Sequence, residues 1–173
     1  PEEAVNTAAP VMLENRCYDE LRVGDSASLT RELSKADIEL FAILSGDVNP
    51  AHLDEAYARD TPFHKVIAHG MWGGTLISTV LGTKLPGPGT IYVGQQLRFV
   101  RPVNVGDIIT VKVTVKEKRD KNMVLLDCLC SNQLGKPVIT GEAEVMAPTL
   151  KVTRAAQPLP ELLLNRHERF AQL

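Results

Sequence analysis

Asp47 and His52 lie five residues apart in the segment SGDVNPAH, residues 45–52. Pro50 turns the chain between them and brings a carboxylate and an imidazole to the mouth of one loop. Such a pair suits general acid–base work on a single water, because a water must lose a proton as it attacks and an imidazole's ordinary pKa of about 6.5 lies near working pH. The same residues also spell a plain turn, in which Asp47 and Asn49 satisfy backbone N–H groups and His52 is an ordinary packed histidine. His64 and His69 raise the question of a metal, but their spacing lacks the i, i+4 pair of a helix-borne zinc site, and no metal is expected. His69 is expected to anchor the entrance of the helix that follows it, and His64 to face solvent. Cys128 and Cys130 point to one face of a strand, and two thiols alone read as small buried hydrophobes.

The elements that must position these groups are marked by local signals. A first strand starts near Ala27–Thr30. SKAD, residues 34–37, has the form of a capping box and opens a helix to about Leu44. Gly46 and Pro50 then forbid a continuous helix, Asn49 suits an N-cap and Pro50 a first helical position, so residues 50–59 are expected to hold a helical turn or two. A long uncharged helix runs from Gly70 to about Thr83 and stops at LPGPG, residues 85–89. Everything after it reads as strand. Ile91, Val93, Leu97 and Phe99 are expected to share one face. Ile109, Val111, Val113 and Val115 alternate with polar residues, the period of a sheet half in water, and two more strands follow near 123–131 and 138–146. One long apolar helix and four antiparallel strands need each other to hide their apolar surfaces, which predicts an α+β hot-dog fold, a sheet wrapped around the helix.

With 173 residues and 44% hydrophobic content, the chain can bury one core. Its 19 basic and 21 acidic side chains leave a net charge of −2 without long runs of either sign, which excludes the electrostatic footprint of a nucleic-acid or membrane-surface binder. The uncharged stretch 66–83 is too rich in glycine and hydroxyl residues for a helix facing lipid. Three cysteines, an odd number, argue against a disulfide framework and for a reducing compartment, the cytoplasm. Residues 1–16 read as a flexible arm, 17–147 as the folded domain, and 148–173 as a proline-bearing linker with a short terminal helix in ELLLNRHERF.

Three blocks in order, SGDVNPAHLDEAYA (45–58), IAHGMWGG (67–74) and LPGPGTIYVGQQLRFVRPV (85–103), together resemble the MaoC-like (R)-specific enoyl-CoA hydratases. The resemblance implies hydration of a short-chain trans-2-enoyl-CoA, with Asp47 and His52 as the catalytic pair on the water and the Gly70 N–H holding the thioester oxygen. A helix N-terminus suits that last role, since its free N–H groups and dipole favour developing negative charge. Asn49 would position the loop or bond the water, and Ser78, two turns beyond Gly70, would orient the site or simply pack. Coenzyme A belongs to the substrate and no separate cofactor is implied. Its phosphates call for basic residues, for which Arg98 and Arg101 are candidates, and Trp72 is a candidate wall of the acyl pocket. Related hot-dog proteins place the site between subunits, which implies a homodimer. More narrowly, the chain is similar to the N-terminal hydratase domain of bifunctional enoyl-CoA hydratase/phosphate acetyl(butyryl)transferase proteins, in which the tail would lead to a phosphate acyltransferase domain outside these residues. A hot-dog acyl-CoA thioesterase is the competing enzyme, although no carboxylate occurs between Val66 and Thr83. A non-catalytic acyl-CoA-binding or dimerisation module is the third alternative.

Overall fold

A computed structural model of the chain describes residues 9–166. Five antiparallel strands form the main sheet: β2 (Ser26–Glu32), β3 (Ile91–Phe99), β4 (Ile108–Lys118), β5 (Met123–Ser131) and β6 (Pro137–Met146), in the order β2-β4-β5-β6-β3. The helix α4 (Gly70–Thr83) lies against its inner face, the hot-dog arrangement expected. The alternation in β4 shows why this packing is stable. Ile109, Val111, Val113 and Val115 are all buried, and each contributes about 1.5–3 kcal/mol relative to exposure. They meet Trp72, Leu76, Ile77, Val80 and Leu81 of α4, along with Cys128 and Cys130 of β5, in one core.

Local chemistry sets the helix ends. In α1 (Lys35–Ser45) the capping box forms as expected, with Ser34 Oγ accepting from the Asp37 N–H at 3.1 Å and Asp37 Oδ2 accepting from the Ser34 N–H at 2.9 Å. Gly46 ends α1 in the left-handed conformation at φ 76°, which directs the chain into the Asp47 loop. Asn49 then caps α2 (Pro50–Leu53), accepting from the Ala51 N–H at 3.1 Å, with Pro50 at the first helical position. Asp54 ends that turn and caps α3 (Glu55–Arg59), so the helical segment expected over 50–59 is two short helices.

Two expectations are corrected. Ile91, Val93, Leu97 and Phe99 do not share a face, because a bulge between Tyr92 and Gly94 shifts the register of β3 on β6. Tyr92 and Leu97 pack on the core, whereas Ile91 and Val93 are 57% and 52% exposed. The boundaries at 16 and 148 also cut through ordered structure, since β1 (Met12–Glu14) pairs antiparallel with β7 (Thr153–Ala155). Asn15, 0% exposed, ties this pair to the end of α4: its amide donates to Pro88 O at 2.9 Å and Leu150 O at 2.8 Å, and its Oδ1 accepts from the Val152 N–H at 3.0 Å. The first six residues of the terminal helix expected at 161–170 are irregular, and the last four lie outside the described residues. Arg166 forms a two-pronged ion pair with Glu39 of α1, both contacts at 2.9 Å.

Candidate active site

The loop between α1 and α2 meets the first turn of α4 at three side chains. His52, half-buried on α2, directs Nδ1 to the Ile67 carbonyl at 2.7 Å. A carbonyl only accepts, so Nδ1 carries a proton, and in the neutral imidazole Nε2 is then the nitrogen with the lone pair. His69, the residue before α4, is 3% exposed and donates from Nε2–H to the backbone carbonyl of Asp47 at 3.0 Å. The His52 and His69 rings stack with centroids 4.0 Å apart and planes 28° apart, and the Phe41 ring lies tilted against His69 at 4.7 Å. Asp47 is exposed. One of its carboxylate oxygens accepts from the Asn49 N–H at 3.0 Å, which leaves the other free.

One carboxylate oxygen of Asp47 and one ring nitrogen each of His52 and His69 lie within 4.8 Å of one another. Two hydrogen bonds of about 2.8 Å span up to about 5.6 Å, so this separation is within the reach of one water shared by Asp47 and His52. Within this cluster Nε2 of His69 is committed to the Asp47 carbonyl, and its Nδ1 is buried without a hydrogen-bond partner.

Beside this cluster a pocket of about 290 Å³ runs inward. His52, His69 and Gly70 line its polar end, and Phe63, Trp72, Phe99 and Ile139 are among its apolar walls. Gly70 opens α4, so its N–H is one of those without an intrahelical acceptor, and the residue lines the pocket at the helix end whose dipole favours negative charge. A side chain here would crowd Phe99, whose Cδ1 lies 3.1 Å from the position of an added Cβ. Gly73 is tighter: an added Cβ would lie 2.4 Å from Ile139 Cδ1. Small residues on α4 thus let the sheet close over the pocket.

The structure divides the remaining candidates. Trp72 is buried in the pocket wall, and Arg101 lines the same pocket while donating from Nη1 to Pro137 O at 2.7 Å. Arg98 is not there. It borders a separate groove with Gln96, Thr140 and Glu142, because the neighbouring Leu97 packs inward and strand alternation sends Arg98 to the other face. Ser78 is likewise outside the pocket, in an open hollow with Met71, Thr75, Tyr92 and Val93, so within this chain it does not join the Asp47–His52 cluster. His64 is exposed as expected. Cys128 and Cys130 are buried, and burial, with the Asp127 charge beside Cys128, pushes both thiols up to about 12, far from nucleophilic use. No helix among the described residues is long and apolar enough to cross a membrane. Sequence reasoning missed the linkage of His69 to Asp47, the Ile67 carbonyl that sets the His52 tautomer, and the Phe63 and Ile139 walls. Only the HG pair before an uncharged helix hinted at the first.

Residues 22–126 match the model of the MaoC-like domain. The chain is 50% identical over 132 residues to an (R)-specific enoyl-CoA hydratase of Rhodospirillum rubrum, covering 76% of this chain and 91% of that protein. It is 46% identical over 133 residues to a 3-hydroxybutyryl-CoA dehydratase of Methylorubrum extorquens, covering 76% and 83%. Among solved structures, the unliganded R-hydratase PhaJ1 of Pseudomonas aeruginosa superposes with a TM-score of 0.86 at 48% identity, covering 90% of this chain and all of that one. The match spans the Asp47 loop, all of α4 and, in the main sheet, β2, β3, β4 and the first four residues of β5, and on that ground the chain belongs to the MaoC-like family.

Proposed function

We propose that this protein catalyses the reversible (R)-specific hydration of short-chain trans-2-enoyl-CoA to 3-hydroxyacyl-CoA. The observation that carries the reading is the approach of Asp47 and His52 to within reach of one water at the N-terminus of α4. In the hydration direction the water oxygen bonds to C3 while one of its protons passes to the Asp47–His52 pair. The unprotonated Nε2 of His52 is the ready acceptor, and the free Asp47 oxygen orients the water. Electron density moves onto the thioester oxygen, where the Gly70 N–H receives it, and a proton returns to C2. Every atom of water ends in the product, so this route asks for no cofactor. The apolar pocket takes the acyl chain, and Arg101, which lines it, is the side chain we assign to the anionic part of coenzyme A.

A homodimer fits the same reading. β3 is an edge strand whose outward residues Ile91 and Val93 are exposed, beside the exposed Met71 of α4, a surface that a second copy would cover. Three free cysteines suit the cytoplasm.

Loss of the conjugated-thioester absorbance of crotonyl-CoA, with chiral analysis of the product, tests the reaction. Asp47→Ala and His52→Ala should each lower the rate about 100-fold or more with the fold intact. Full activity in either variant removes the pair, and release of free CoA thiol in place of a hydroxyacyl product would favour a thioesterase.

A further inference from the structure

Among the described residues only two polar side chains are fully buried, Asn15 and His69, and they differ in how well they are satisfied. Asn15 uses both amide hydrogens and its carbonyl oxygen. His69 uses Nε2 alone, and its Nδ1 has no hydrogen-bond partner. An apolar ring would fill this space beside Phe41 and His52 without leaving a buried nitrogen unpaired. For the fold alone, phenylalanine is the better residue at position 69.

What histidine adds is a link to both members of the proposed pair. Its Nε2–H holds the backbone carbonyl of Asp47, 22 positions earlier, and its ring face lies against His52. It is also the residue immediately before Gly70, whose N–H would receive the thioester oxygen. The Asp47 loop is otherwise exposed from Ser45 to Pro50, and its other hydrogen bonds run within the loop or to the adjoining turns of α1 and α2, so the bond from His69 is the one that ties it to the start of α4. Resting on the hydratase reading above, we propose that His69 is a positioning residue that registers the Asp47 carboxylate and the His52 ring against the first turn of α4. It does not exchange protons with substrate, because its one free nitrogen is buried.

The prediction separates stability from activity in opposite directions. His69→Phe keeps the ring stack, removes the orphan nitrogen and loses only the tether, so its Tm should equal or exceed that of the parent protein. Its kcat for crotonyl-CoA should fall about 10- to 100-fold, because displacing a catalytic group by about 1 Å costs on that order, while KM stays within about twofold since the pocket walls are unchanged. His69→Gln, whose Nε2 can reach the Asp47 carbonyl, should recover kcat to within about fivefold of the parent protein. A His69→Phe protein with parental kcat overturns the proposal. So does a folded His69→Gln protein no more active than His69→Phe, or a loss confined to KM. If His69→Phe fails to fold, the residue is structural and the proposal is likewise overturned, unless folded His69→Gln retains kcat at the level stated. An inactive parent protein would instead sink the hydratase reading, a result distinguishable from an active parent indifferent to position 69.

Discussion

Gly73→Ala places one methyl group where the pocket can report on it. The new Cβ would lie 2.4 Å from Ile139 Cδ1, whereas relaxed carbon pairs sit at about 3.5–4.0 Å, so the tip of Ile139 must retreat by about 1 Å or more. Ile139 is buried and lines the pocket, so retreat narrows the space beside Trp72. Alanine gains about 1 kcal/mol of helix propensity over glycine and overpacking costs about 1–3 kcal/mol, which leaves a net destabilisation of about 0–2 kcal/mol. Ile139→Val deletes the clashing Cδ1 and alone costs about 0.5–1.5 kcal/mol. The double variant should therefore be more stable than the two single effects sum to, by about 1–2 kcal/mol in urea unfolding. On the hydratase reading, a narrowed pocket that no longer buries the last two methylenes of a six-carbon enoyl-CoA forfeits about 0.8 kcal/mol for each. That shifts the ratio of kcat/KM between four- and six-carbon substrates by up to about 15-fold. Additivity within about 0.3–0.5 kcal/mol, or an unchanged substrate ratio in Gly73→Ala, refutes the contact and with it this part of the pocket wall.

Arg101→Ala should raise KM for crotonyl-CoA about two- to fivefold and leave a phosphate-free pantetheine thioester unaffected, whereas Arg98→Ala should change neither; equal effects of the two arginines would discard their assignment to opposite faces. Because burial lifts the Cys128 and Cys130 thiols from an ordinary 9.0 to about 12, the folded state keeps protons that the unfolded chain releases. The stability this supplies is whole below pH 9 and is lost as pH rises from 9 toward 12, so Tm should fall across that window, and fall less in Cys128→Ala/Cys130→Ala. Iodoacetamide with peptide mass analysis at pH 8 should label the half-exposed Cys17 and spare the other two; labelling of Cys128 or Cys130 in the native protein would contradict their burial.

Most of the fold was legible because its signals are local. The Ser34–Asp37 box, the Asn49–Pro50 cap and the alternation of β4 each lie within a few residues, and each formed as expected. The bulge at Tyr92–Gly94 was not legible, since it answers to the partner strand β6, and its consequence was the misplaced Ile91 and Val93. Arg98 was misplaced for a related reason, as its motif was suggestive but its side of the strand decides what it can reach. The three-residue strands β1 and β7 come from opposite ends of the chain and have no periodicity to betray them. In the site, Asp47 and His52 stand out by their spacing, while the Ile67 carbonyl and the His69 ring act across 15 and 22 positions and surface only when the chain is folded.

The clamp made by Asn15 matters beyond the termini it joins. Burial between α4 and β4 is driven by a force without direction, and polar grips at the two ends of the helix add a fixed axial reference to the fit of its side chains. Asn15 grips the loop just past the last turn of α4, while His69 grips just before the first. A helix gripped at both ends behaves like a ruler nailed at its two marks, and the amide at its zero point is then located by a residue that sits a whole helix length away.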